Sequence, residues 1–322
     1  MNPRPFIMIG SQHWHAPWHR DALIAAGCSI AAVSDSDPAA TECLAAGQTY
    51  RRFERWADML DAYPDAVAFV LTPPDETPEV LAALVARAMP FVLEKPGTVD
   101  GTALAAAATG VAGSGLATAV PFVNRLMNFW GELAQQDPRF LHWTHAHFRI
   151  LAGPPQRYLR DGVPWVLSQS RYGGGALRNL GIHAADAALT IANGAALTIC
   201  SATTSKRLHN LEVDDFAMAS LITADGRTIT IEAGYCMPTE TTADKQWRIH
   251  GPGWAITEDR GLLTVRSENG LVQRESAPSS QQYAAFGEVL WQMAHNRPHA
   301  MARLSDLLAA QLLVDAIYQA AA

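Results

Sequence analysis

The chain has 322 residues, 24 Lys and Arg against 31 Asp and Glu for a formal charge of −7, with 49% hydrophobic and 17% charged residues. That balance excludes a disordered chain, which needs low hydrophobicity and high net charge. The acidic sum argues against a nucleic-acid partner, whose phosphates require a basic face. A single core of this length would be near its upper size, so two domains are expected.

In chain order, residues 6–10 read as a buried strand, followed by a helix-like segment ending near Gly27. Residues 29–33 and 66–71 read as further strands, a helix runs over about 76–89, and residues 90–93 and 116–120 are strands again. Strands without internal alternation, separated by helices, indicate a parallel sheet covered on both faces, a Rossmann-like half over residues 1–122. Residues 101–123 carry no charge, which raises a membrane span. The glycines at 101, 110, 113 and 115, Pro121 and the alanine content favour a helix, a turn and a buried strand instead, so no membrane partner is expected. No secretory apolar region follows the first residues, and a cytoplasmic location is the default expectation. Cys28, Cys43, Cys200 and Cys236 stand too far apart for a zinc pair or a redox motif and read as reduced thiols.

From about residue 121 the pattern changes. Residues 140–150, 197–207, 216–224, 227–235, 246–250 and 262–265 read as successive strands, with a hairpin turn at 224–227. Runs of strands with few helices between them give an α+β second domain, residues 123–322, around a large, mostly antiparallel sheet. Residues 305–320 form an amphipathic helix with Ser305 as its N-cap, free to pack back on the first domain.

A strand, turn and helix opening a parallel sheet normally hold a dinucleotide pyrophosphate on the helix N-terminus. Here the turn is Gly10-Ser11-Gln12-His13-Trp14-His15, which keeps only the first glycine of G-x-G-x-x-G. An ordinary strand–helix turn is the competing reading. Asp35, 25 residues after Gly10 and followed by Ser36, suits the adenosine ribose hydroxyls and repels a 2′-phosphate, so NAD is expected over NADP. Thr72-Pro73-Pro74 would pass beside the nucleotide. His13, His15 and His19, and His142, His145 and His147 on one strand, lack a partner group of metal-site spacing. No metal is expected there.

Glu94-Lys95-Pro96 closes the strand at 90–93, and residues 173–186 read G-G-G-A-L-R-N-L-G-I-H-A-A-D. Together these resemble the Gfo/Idh/MocA family of NAD(P)-dependent oxidoreductases, whose pattern is E-K-P followed by G-G-G-x-L-x-D-x-G-x-H-x-x-D. Thr72-Pro73-Pro74 and Asn124-Arg125 also match family habits. The resemblance implies a dehydrogenase acting on a secondary alcohol of a sugar, cyclitol or related polyhydroxy compound. Lys95 would polarise the substrate oxygen and His183 would move its proton, with Glu94 and Asn124 beside the cofactor. Asn179 and His183 share a helix face, and Asp186 adjoins His183 three residues on. Asn179 stands where the family has aspartate; an amide cannot hold a histidinium as a carboxylate can, which leaves Asp186 as a candidate substitute.

Arg125, Trp165, Arg171, Tyr172 and Arg178 are softer substrate candidates, and Arg157 and Arg160 lie in a loop that could act as a lid. The altered triad and turn keep two alternatives open: an NAD-retaining glycoside lyase or hydrolase working by transient oxidation and elimination, and a catalytically silent nucleotide-binding sensor. The resemblance further implies a homodimer or homotetramer through the C-terminal sheet, and a small-molecule substrate.

Overall fold

The computed structural model describes residues 2–35, 37–45, 49–240 and 243–322. Its first sheet contains β1 (Phe6–Ile9), β2 (Ile30–Ser34), β3 (Arg51–Phe53), β4 (Val67–Val70), β5 (Phe91–Leu93) and β6 (Thr118–Ala119). All pairs are parallel, in the order β3-β2-β1-β4-β5-β6. β1, β4 and β5 are buried along their whole length, which is why they read as unbroken apolar runs. The order reverses between β1 and β4, and such a sheet opens a ligand crevice beyond the carboxyl ends of those strands. The uncharged stretch becomes the helix Gly101–Val111, with Asp100 capping it through the Ala103 amide at 3.0 Å, and then β6. No helix among the described residues is long and apolar enough to cross a membrane.

The second sheet holds β7 (His145–Leu151), β8 (Leu197–Ser205), β9 (Phe216–Thr223), β10 (Thr228–Gly234), β11 (Asp244–Gly251), β12 (Trp254–Asp259), β13 (Leu262–Ser267) and β14 (Gly270–Glu275). Their order is β14-β13-β12-β11-β7-β10-β9-β8, antiparallel except for β7 against β10. Alternation sends Ala146, Phe148 and Ile150 into the core, while His145, His147 and Arg149 face outward. The buried side packs on the helix Ile182–Ala192.

Three expectations change here. The strand expected at 140–150 begins only at His145, because the Asp137 carboxylate accepts from the amides of Leu141, His142 and Trp143 and holds that segment in a turn. His142 therefore leaves the strand that carries His145 and His147. β12, β14 and the helix Ser279–Ala294 were not anticipated; the first two are short arms of glycine-punctuated hairpins. The helix Leu304–Ala321 starts one residue earlier than expected: Arg303 caps it, its amide donating to Asp306 at 2.8 Å, and Ser305 lies inside the first turn.

The two C-terminal helices complete the first half. Ser279–Ala294 packs on Ala16–Ala25, and Leu304–Ala321 packs on Gly101–Val111, Ile182–Ala192 and β8. Asp315 accepts from the Gly101 amide at 2.7 Å and from Arg178 Nη2 at 2.5 Å, so one carboxylate ties a helix N-terminus of the first half to the glycine-rich motif of the second.

Candidate active site

Two cavities open at the carboxyl edge of the parallel sheet. The first, about 470 Å³, is lined by Gly10, Gln12, Asp35, Thr72, Pro73 and Arg171 among others. Gly10 sits at φ +86°, and a Cβ there would lie 2.7 Å from the Leu71 carbonyl carbon and the Thr72 nitrogen. The β4 tip crosses directly over the turn, so only glycine fits. Asp35 bridges the turn to β2: Oδ2 accepts from Ser11 Oγ at 3.1 Å and the Gln12 amide at 3.0 Å, and Oδ1 accepts from the Asp37 amide at 2.9 Å. Ser36, expected beside it, lies outside the described residues. Thr72 Oγ1 is 2.9 Å from Thr77 Oγ1 at the rim. A glycine under the crossing strand and a carboxylate at the end of β2 fit the adenosine side of a dinucleotide.

His15, in place of the third glycine, has become part of a buried polar cluster. His15 Nδ1 lies 3.0 Å from Glu94 Oε1, and His19 Nε2 lies 2.7 Å from Glu94 Oε2. Tyr283 Oη is 3.0 Å from the same His15 nitrogen. Burial works to raise the Glu94 carboxyl, but its two histidine partners, His15 first and then His19, hold it well below the usual carboxylate range. Burial keeps His15 neutral, lowered to about 4 against the pull of Glu94. Donor atoms of His13, His15 and Glu94 lie within 4.8 Å of one another, close enough for a metal. Both Glu94 oxygens are, however, taken by histidines, and His13 Nδ1 accepts from the His15 amide at 3.1 Å. We read the cluster as a hydrogen-bonded network under the turn.

Aromatic rings separate the two cavities. His13 stacks on Trp14 at 4.0 Å and 17°, and Trp165 packs 5.8 Å from His13 and 5.7 Å from Trp14. His13 and Trp165 face the first cavity and Trp14 faces the second. Trp165 is thus part of this partition.

The second cavity, about 450 Å³, brings together Lys95, Asn124, Arg157, Asn179, His183 and Lys245. Lys95 follows β5, joined to Pro96 by a cis bond, and its Nζ donates to Asn179 Oδ1 at 2.9 Å and to the Asn179 carbonyl at 3.1 Å. Burial lowers the ammonium to about 8; Glu94 opposes the shift and Arg157 adds to it. Asn179 lies in the π-turn Leu177–Gly181 that leads into Ile182–Ala192. Its Oδ1 also accepts from Tyr172 Oη at 3.2 Å, and its Nδ2 donates to Tyr158 Oη at 2.7 Å and Tyr235 Oη at 3.1 Å. All four hydrogen-bonding capacities of the amide are used. The glycine run permits this approach: a Cβ on Gly175 would lie 2.0 Å from the Asp214 carbonyl oxygen.

His183 lies on the cavity wall one turn after Asn179, its ring edge-on to Phe122 at 5.7 Å and its Nδ1 buried without a partner. Burial, followed by the charge of Lys95, holds the imidazole well below its ordinary value. It is neutral at pH 7 and able to accept a proton. No side-chain hydrogen bond joins its ring to Asn179 or Asp186.

The remaining candidates sit elsewhere. Asp186 was expected beside His183 in a relay, but its carboxylate is captured by Arg125, with Nε–Oδ2 at 2.9 Å and Nη2–Oδ1 at 2.6 Å. Burial pushes Asp186 up to about 6 against that pairing. Arg125, also 3.1 Å from Asp306, is consumed by the same pair and does not line the cavity. Arg171 spans to Asp75 and Glu76 at the rim of the first cavity. Tyr172 stands behind Asn179, and Arg178 is buried against Asp315 with its guanidinium over the Tyr318 ring. Arg157 and Arg160 do line the second cavity.

Lys245 and Tyr283 escaped sequence reasoning. Lys245 Nζ donates to Asn124 Oδ1 at 2.7 Å, and burial lowers it to about 8. Its signal was present: Lys245, Trp247 and Ile249 share one face of β11, and a cation on an apolar face needs a reason.

No curated protein sequence matches the chain. Residues 137–256 match the model of the GFO/IDH/MocA C-terminal domain. An oxidoreductase from Agrobacterium radiobacter, solved with NAD+, L-tartaric acid and magnesium, superposes with TM-score 0.84 at 18% identity, covering 99% of this chain and 96% of its own. The WlbA dehydrogenase from Bordetella pertussis, solved with NADH and UDP-GlcNAcA, gives 0.84 at 17% identity over 99% and 96%. Levoglucosan dehydrogenase, solved with NADH and levoglucosan, gives 0.83 at 17% identity over 99% and 96%. At these identities the likeness establishes a shared fold.

Proposed function

We propose, starting from the match of residues 137–256 to the GFO/IDH/MocA C-terminal domain model, that the protein is an NAD-dependent oxidoreductase. It moves a hydride between nicotinamide and a secondary alcohol of a sugar, cyclitol or related polyhydroxy compound. The observation that carries this reading is the pairing of a buried, charged Lys95 with a buried, neutral His183 in one cavity beside a nucleotide-type groove. The neighbours solved with NAD+ or NADH support the choice of cofactor, and the sugar ligands of two of them, UDP-GlcNAcA and levoglucosan, support the substrate class.

The bound nicotinamide supplies the hydride acceptor. Lys95 keeps one ammonium N–H free beyond its two bonds to Asn179 and directs it to the substrate oxygen, where it stabilises developing alkoxide charge. His183 takes the alcohol proton, for which a neutral imidazole is required. Asn179 aims the ammonium and is held in turn by three tyrosine hydroxyls. The stack of His13, Trp14 and Trp165 borders both cavities. Asp35 favours NAD, since a 2′-phosphate would meet its carboxylate. The outward face of the eight-stranded sheet is the surface through which a homodimer or homotetramer would form.

The test is NADH formation by purified protein across sugars, cyclitols and sugar acids, with NAD binding measured separately by calorimetry. Unchanged turnover in His183→Ala would remove the proton-transfer assignment.

A further inference from the structure

The second cavity is lined by four cations, Lys95, Lys245, Arg157 and Arg160, and by two carboxylates, Asp161 and Glu240. Both carboxylates belong to Arg160, which holds Glu240 through Nη1 at 2.6 Å and Asp161 through Nε and Nη2 at about 3 Å. Among the described residues, Lys95, Lys245 and Arg157 have no carboxylate within ion-pair distance. Glu94, next to Lys95, is turned to His15 and His19. Glu258, the acid electrostatically closest to Lys245, accepts from the Phe129 amide and does not line the cavity. Arg157 gives Nη2 to Tyr158 Oη at 2.7 Å, while its Nε is buried without a partner. Three cations share a wall with a neutral histidine; Glu94, Glu258 and Asp161 each act on one of them from a distance, but among the described residues no carboxylate forms an ion pair with any of the three.

Burying unpaired charge is unfavourable, and a protein keeps such an arrangement where a ligand supplies the opposite charge. Lys95 is committed to the reacting oxygen, which leaves Arg157 and Lys245 for a second group. Arg157 offers a planar fork suited to two parallel hydrogen bonds with a carboxylate. Tyr158 connects that fork to Asn179, and so to Lys95, fixing the spacing between the two ends of a substrate.

We propose that the substrate is a polyhydroxy acid whose carboxylate is bound by Arg157 and Lys245, opposite the alcohol that Lys95 and His183 act on. This rests on the second cavity being the substrate site. A cavity of about 450 Å³ accommodates a single acidic sugar ring or an open-chain sugar acid.

The experiment compares matched probes: D-glucuronate with D-glucose, D-galacturonate with D-galactose, and D-gluconate with D-sorbitol. Binding is measured by calorimetry with and without NADH, and kcat/KM by NADH formation. The acids should bind at least about tenfold tighter than their neutral partners and weaken as salt rises. Arg157→Gln should raise KM for an acid about 100-fold with kcat little changed, Arg157→Lys should recover part of that, and Lys245→Gln should act in the same direction. Equal binding of acids and neutral polyols, a preference for D-glucose 6-phosphate over D-glucuronate, or a preference untouched by Arg157→Gln would overturn the proposal. Failure of NAD to bind would instead count against the oxidoreductase reading, because acid binding is also measured without nucleotide.

Discussion

Lys95→Met separates what the lysine does for the reaction from what it costs the fold. Holding the ammonium from its ordinary 10.5 down to about 8 corresponds to about 3 kcal/mol of unfavourable burial while the group is charged in both folded and unfolded states. The substitution also removes two hydrogen bonds to Asn179, worth about 1 kcal/mol each. Asn179 Oδ1 keeps its bond from Tyr172, so the variant should be more stable than the parent by about 1 kcal/mol at pH 7. The sign reverses with pH. Between pH 8 and 10.5 the unfolded chain binds a proton that the native lysine has released, so the parent gains stability through that window and the variant does not. Urea denaturation of both proteins at pH 7 and pH 11 should show their difference moving by about 3 kcal/mol in favour of the parent, while turnover falls at least about 100-fold. A difference that does not change with pH would refute the burial argument.

Activity should form a bell in pH. His183 must be neutral, and its depressed value places the acid limb of kcat/KM below pH 6.5, whereas loss of the Lys95 proton closes the alkaline limb near pH 8; an acid limb above pH 7 would contradict this assignment. Asp186→Asn should act on stability, because it leaves Arg125 half-buried without its bidentate partner, a loss of about 3 kcal/mol in denaturant melts with kcat changed only a few-fold. A thousandfold loss of kcat in that variant would restore Asp186 to the proton relay. Asp35→Ser should reduce discrimination against NADP at least about tenfold in nucleotide titrations, and an unchanged ratio would show that Asp35 serves the turn alone.

The parallel sheet was legible because strands buried on both faces must be apolar throughout, and β1, β4 and β5 are. Lys95 and His183 were legible because their motifs lie at ends of regular elements, where the backbone alone brings them to one cavity. The partners were not. Helix spacing places Asp186 near His183, but the charge of Arg125, 61 residues away in sequence, decides where the carboxylate points. Arg178 and Arg171 read as ligand contacts, yet each is matched by an acid supplied from a distant helix or loop, Asp315 for one and Asp75 with Glu76 for the other. Lys245 was lost by starting its strand two residues late. His15 looked like a degenerate glycine position; its partners Glu94 and Tyr283 lie 79 and 268 residues away. Local pattern fixes elements, and long-range pairing of buried charge fixes which side chains remain free for a ligand.

Asp315, which joins the Gly101 amide to Arg178, has a consequence for how the molecule comes into being. The nucleotide-type half is finished by helices that begin only at Ser279 and Leu304. During synthesis the first six strands therefore emerge well before the helices that cover part of their layer, and they wait while the intervening sheet is made. Closing a loop of this length adds only slowly to the entropic cost, but it delays the contacts that reward the closure. The glycine-rich motif acquires its Arg178–Asp315 anchor at that same late moment, so the pocket around Lys95 and the coat of the parallel sheet mature together.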